Sequence, residues 1–134
     1  MNVVSIVLEW FRLSNNDLFV TKKCYEEFNP KQTEISCYHC QQCAEKALKG
    51  YLIFKGVSEP PKIHNLEILC NDCKNFDEEF DKLFNFCSKL TPFSSIARYP
   101  NELCLEEIMA KTAIKNAQKI YDFCLKKTGL EHKI

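Results

Sequence analysis

Glycine and proline are scarce in this chain of 134 residues, at three and five positions. That scarcity excludes a turn-rich β-sandwich and a disordered chain. No uninterrupted apolar run approaches the roughly 18 residues that would span a bilayer. Met1 to Leu8 is apolar, but it has no basic lead-in and Glu9 ends it, so neither a signal peptide nor a membrane anchor is expected. Net charge is absent as well, with 18 basic and 18 acidic side chains. A neutral total argues against a dedicated nucleic-acid coat and leaves room for a local basic patch. There is no internal repeat, no low-complexity stretch and no long linker.

Hydrophobic residues make up 46% of the chain, enough for a core, and the length suits one domain over residues 1–134. Charge is unevenly spread. Asn65 to Lys89 holds six acids and three bases, whereas Leu90 to Ile134 holds seven bases and five acids. Nine cysteines form an odd number without an export signal. They read as free thiols in a reducing cytoplasm rather than a disulfide framework.

Periodicity predicts helices over Val3–Phe28, Glu34–Phe54, Asn65–Cys73, Phe76–Leu90 and Asn101–Lys127. Asn29-Pro30, Lys55-Gly56, Pro60-Pro61, Thr91-Pro92 and Gly129 separate or end them. On the second helix Cys40, Cys43, Ala44, Ala47, Tyr51 and Phe54 share an apolar side, and Gln42, Glu45, Lys46 and Lys49 share the other. On the last, Leu105, Met109, Ala113, Ile120 and Cys124 face inward, while Lys111, Lys115, Lys119 and Lys126 form a stripe opposite. The fourth is apolar at Phe76, Phe80, Leu83, Phe84 and Cys87. The expected fold is all-α: an up-and-down bundle of four main helices plus a short extra one.

The run from Tyr38 to Gly50, Tyr-His-Cys-Gln-Gln-Cys-Ala-Glu-Lys-Ala-Leu-Lys-Gly, resembles the signature helix of HEPN domains. Ile63-His64-Asn65-Leu66 follows a proline-containing loop, where that family has Thr-His-Asp-Leu. Arg98-Tyr99-Pro100 matches the family's Arg-Tyr-Pro before its last long helix. Glu9-Trp10 and Asp17-Leu18 stand at the expected places in the first helix. The resemblance covers nearly the whole chain. It implies a four-helix bundle, a homodimer, and pairing with a small nucleotidyltransferase subunit, often in toxin–antitoxin modules.

Many members of that family are metal-independent RNases with an Arg, four to six residues, then a His. Here the three corresponding positions after Arg98 are Leu103, Cys104 and Leu105. RNA cleavage at such a site needs a proton-transfer group beside a cationic phosphate clamp. The clamp is present in the sequence and the proton-transfer group is missing, so no catalytic residue is assigned.

Arg98 and Tyr99 are instead candidate nucleotide- or anion-binding residues, with Lys46, Lys49 and His64. Arg98 lies in the break before a helix, where backbone N–H groups also favour anions, and its fork suits phosphate or carboxylate. A structural ion pair is the competing role for Arg98, a solvated helix face for Glu45, Lys46 and Lys49, and a helix-terminus role for His64. His39 reads as a local hydrogen-bonding residue.

Cys37, Cys40 and Cys43, with Cys70 and Cys73, have zinc-like spacing. Cys40 and Cys43 fall on an apolar helix face, so core packing is expected and no metal or cofactor. The lysine stripe on the last helix reads as a solvated face, with no aromatics interleaved on it to stack bases. The expected function is a non-catalytic HEPN binding module. It binds a nucleotide, a nucleotidyltransferase partner, or both. The alternatives are a divergent HEPN ribonuclease acting on RNA and a helical scaffold without a small ligand.

Overall fold

In the computed structural model, residues 2–95 and 106–134 are described. Asn2 starts the first helix: its backbone is extended and its side-chain oxygen accepts from the Ser5 N–H at 2.8 Å. Helix α1 runs Val3–Glu26, two residues short of the predicted end, and α2 covers Thr33–Phe54. The second helix stops at Lys55, where Gly56 takes φ 98°, a backbone conformation that a side chain disfavours. Asn65 caps α3, Leu66–Lys74, by accepting from Glu67 and Ile68 N–H at 2.9 and 3.1 Å.

The predicted helix over Phe76–Leu90 is not continuous. Asp77 is extended and its carboxylate accepts from the Glu79 N–H, which opens a 3-10 turn over Glu78–Leu83. The tighter pitch eclipses residues three apart, and Phe80 and Leu83 both enter the core. Phe76, expected inside, is 45% exposed. Helix α4 is therefore only Phe84–Leu90, continued by a 3-10 turn over Thr91–Ser95.

Helix α5 runs Glu107–Thr128 and exits at Gly129, φ 70°. The predicted start at Asn101 lies outside the described residues, but Glu106 is extended, so no helix runs unbroken through it. A 3-10 turn, Glu131–Lys133, ends the chain.

Every element among the described residues is helical, as expected, with α2 at the centre against α1, α3 and α5. Gly50 sets the α1–α2 distance. A Cβ there would stand 3.0 Å from the Phe11 ring and 3.2 Å from Trp10 Cβ. Phe11 is fully buried, worth roughly 2–3 kcal/mol, and meets Tyr121 of α5 edge-on. Tyr51, Phe80 and Phe123 continue the core toward α4.

Three hydroxyls also lock α1 to α2. Ser14 donates to the Cys43 carbonyl at 2.7 Å, Thr21 to that of Ser36 at 2.5 Å, and Ser36 returns a bond to the Thr21 carbonyl at 2.9 Å. Among the described residues no helix is long and apolar enough to cross a membrane.

Candidate functional site

The helical wheel of α2 puts Glu45, Lys46 and Lys49 on one side, and the packing of neighbouring segments divides them into two networks. Glu45 and Lys49 are buried, their side chains each 8% exposed, so the solvated-face expectation fails for both. The turn into α3 returns to this part of α2 through His64. Lys49 Nζ donates to Glu45 Oε2 at 3.1 Å. Glu45 Oε1 accepts from Gln41 Nε2 at 3.2 Å and pairs with His64 Nδ1 at 2.9 Å. A carboxylate can only accept, so the His64 proton sits on Nδ1. Gln41, fully buried, also donates to the His64 carbonyl at 2.9 Å. Glu45 thus ties the loop before α3 to the centre of α2, and His64 takes a structural place beside that helix terminus.

The second network joins α2 to α1. Asp17, largely buried, holds Lys46 Nζ on Oδ2 at 2.6 Å and His39 Nδ1 on Oδ1 at 2.8 Å. His39 is a local hydrogen-bonding residue, as expected, with the Tyr38 ring edge-on to it. Lys46 is partly exposed, but its charge already has a carboxylate. Asp17 and Gln41 were not picked out as polar centres in the sequence. An acid beside the core of a long helix is the signal that could have found Asp17.

Of the five candidate binding residues, Lys49 and His64 meet at Glu45, and Lys46 joins the Asp17 group. Arg98 and Tyr99 lie outside the described residues, as do Leu103, Cys104 and Leu105. The chain segments that flank them form a cleft of about 290 Å³ between Lys89, Leu90 and Phe93 on one wall and Ile108, Met109 and Asn116 on the other. Ile108 and Met109 are 60% and 37% exposed, which corrects the inward placement of Met109. Glu107, Ile108 and Met109 at the start of the helix are exposed, and Ala110 is its first residue to enter the core.

Eight cysteines are free and buried, at Cys24, Cys37, Cys40, Cys43, Cys70, Cys73, Cys87 and Cys124. Burial pushes Cys37 up to about 11 and Cys43 up to about 12, so both stay as thiols. Cys43 lies against Ser14 and Cys40 against Thr21. Among the described residues no three His, Cys, Asp or Glu side chains converge as a metal site.

Lys111, Lys115, Lys119 and Lys126 are exposed along α5 as expected, but the absence of interleaved aromatics is corrected. Phe86 of α4 and Phe123 of α5 come up between these lysines, and Lys119 Nζ lies 4.8 Å from the Phe86 ring centre.

Two solved structures share the helical fold. TT1696 from Thermus thermophilus superposes with a TM-score of 0.78 at 22% identity, over 90% of this chain and 97% of that one. ST0689, described as an archaeal HEPN homologue, gives 0.70 at 22% identity, over 91% and 97%. No curated protein matches the sequence significantly. The HEPN domain profile matches residues 7–128, and the chain belongs to the HEPN family.

Proposed function

We propose that this HEPN domain is a non-catalytic binding module. It acts as a homodimer that takes up a nucleotide, a small nucleotidyltransferase subunit, or both, in a unit of toxin–antitoxin type. The observation that carries this reading is the lining of the cleft between the segment that ends at Ser95 and the start of α5. Among the described residues Lys89 is its single titratable lining residue; the others are apolar or neutral. His39 and His64 are both held by carboxylates on other parts of the bundle. The three positions where the family's RNases carry histidine hold Leu103, Cys104 and Leu105. Arg98 retains the charge for a phosphate, and Tyr99 stands next to it in sequence.

Lys46, Lys49 and His64 already have carboxylate partners, so an anion in this reading depends chiefly on Arg98. The exposed Ile108 and Met109 support a seam covered by a second copy. Loss of one acid–base group costs about a hundred- to ten-thousand-fold in rate. Purified protein incubated with structured and single-stranded RNA should show negligible cleavage, beside an Arg98→Ala control. Robust cleavage that disappears in the control overturns the reading and favours a divergent ribonuclease.

A further inference from the structure

A second groove lies along the α4–α5 seam. Its floor is Leu83, Phe86 and Phe123, its rim is Lys82, Lys119 and Lys126, and its volume is about 390 Å³. Lys82 reaches Glu79 at 3.4 Å across an exposed surface, a contact of little strength. Lys119 and Lys126 make no ion pair among the described residues, and Lys111 and Lys115 continue their stripe up α5. The one acid within the rim, Asp122, accepts from Gln118 at 2.9 Å. An apolar floor beside Lys119 and Lys126, which hold no acid among the described residues, is complementary to an apolar stripe flanked by carboxylates.

We propose that this groove docks an acidic amphipathic helix of a protein partner. Two packed helices offer a groove into which apolar side chains at i, i+3 or i+4, and i+7 can insert, while flanking Glu or Asp meet the lysines. Single-stranded nucleic acid is less suited. Base stacking needs free aromatic faces, but Lys119 covers Phe86, and Lys127 stands 5.5 Å from the Phe123 ring centre while Phe80 packs against that ring at 5.0 Å. A second copy centred here would set the same lysines against one another across a two-fold axis. The inference rests on the binding-module reading and names the chemistry of its partner.

The test is an NMR titration of the full chain with a synthetic helical peptide of about 16 residues, Leu on one face and Glu on the flanks. A scrambled peptide of equal composition and an oligouridine of about twelve nucleotides are the controls. Shifts should centre on Leu83, Phe86 and Phe123. The Lys119→Glu/Lys126→Glu variant should bind about ten-fold more weakly while keeping its melting curve. The Lys119→Gln/Lys126→Gln variant should fall between it and the native chain.

Equal binding of the scrambled peptide, shifts centred elsewhere, unchanged affinity in both variants, or preferential oligouridine binding would each overturn the proposal. So would shifts at these residues that follow protein concentration alone, which would mark a second copy. Failure of the binding-module reading appears separately, as RNA cleavage.

Discussion

The polar side of α2 and the polar side of α5 look alike in sequence and behave differently in the folded chain. Both carry lysines at helical spacing opposite an apolar stripe. On α2 the charges are turned inward: Lys49 meets Glu45 inside the bundle, and Lys46 meets Asp17 at its edge. On α5, Lys111, Lys115, Lys119 and Lys126 stay exposed, and among the described residues none has an acidic partner. The difference comes from what crosses each face. The turn into α3 and α1 itself meet α2, and each brings a polar group that accepts or donates. On the lysine side of α5 the 3-10 turn and the short α4 bring Leu83 and Phe86, and none of the four lysines gains an acid from them.

Breaking the inner network should cost most. Glu45→Ala leaves a buried ammonium without its carboxylate and should lower stability by about 3–5 kcal/mol in denaturant unfolding. The Glu45→Ala/Lys49→Met double variant should recover part of that loss. A double variant no more stable than Glu45→Ala would mean that the Lys49 charge is not what makes the single variant costly.

Asp17→Asn keeps the shape and removes the charge between His39 and Lys46. Because both partners are partly exposed, a smaller loss of about 1–2 kcal/mol is expected. A loss as large as that of Glu45→Ala would place the two networks on an equal footing. On α5, Lys119→Gln/Lys126→Gln should leave stability within about 0.5 kcal/mol of native, since neither head group holds an acid. A larger loss would show that these lysines also stabilise the fold.

The smallest effect is expected in the acidic stretch. Lys127 lies 2.8 Å from Asp77 and 3.3 Å from Glu79. Hydrogen bonding to Lys127 lowers both carboxyls from their ordinary range. A carboxyl with a depressed folded-state value contributes stability above its unfolded-state value. That contribution is lost as pH falls through the folded-state value. Melting curves of the native chain and Lys127→Met should therefore differ slightly at neutral pH and converge as pH falls below the lowered folded-state values of the two carboxyls. A difference that persists unchanged at acid pH would assign it to packing of the lysine stem.

The sequence was most readable where a local signal and the tertiary fold agree. Gly56 and Gly129 end their helices in the left-handed region, and Asn65 caps α3. Tyr38-His39 and the Gln-Gln pair carry the resemblance to the family and also make bonds that shape the bundle. Legibility failed where a distant segment decides the outcome. Phe76 has helical spacing, yet Asp77 breaks the helix and leaves the ring outside. Glu45 and Lys49 have the pattern of a wet face, and only the return of His64 shows them to be interior. Phe123 stands at helical spacing from Lys119 and Lys126, but Phe86 belongs to a different helix, so its place in the floor is invisible in α5 alone.

Amine-reactive labelling of the native chain, read lysine by lysine in a mass spectrometer, tests the contrast between α2 and α5 most directly. Lys111, Lys115, Lys119 and Lys126 should react fast, Lys46 more slowly, and Lys49 at a rate limited by opening of the bundle. Lys49 reacting as fast as Lys119 under native conditions would contradict the account.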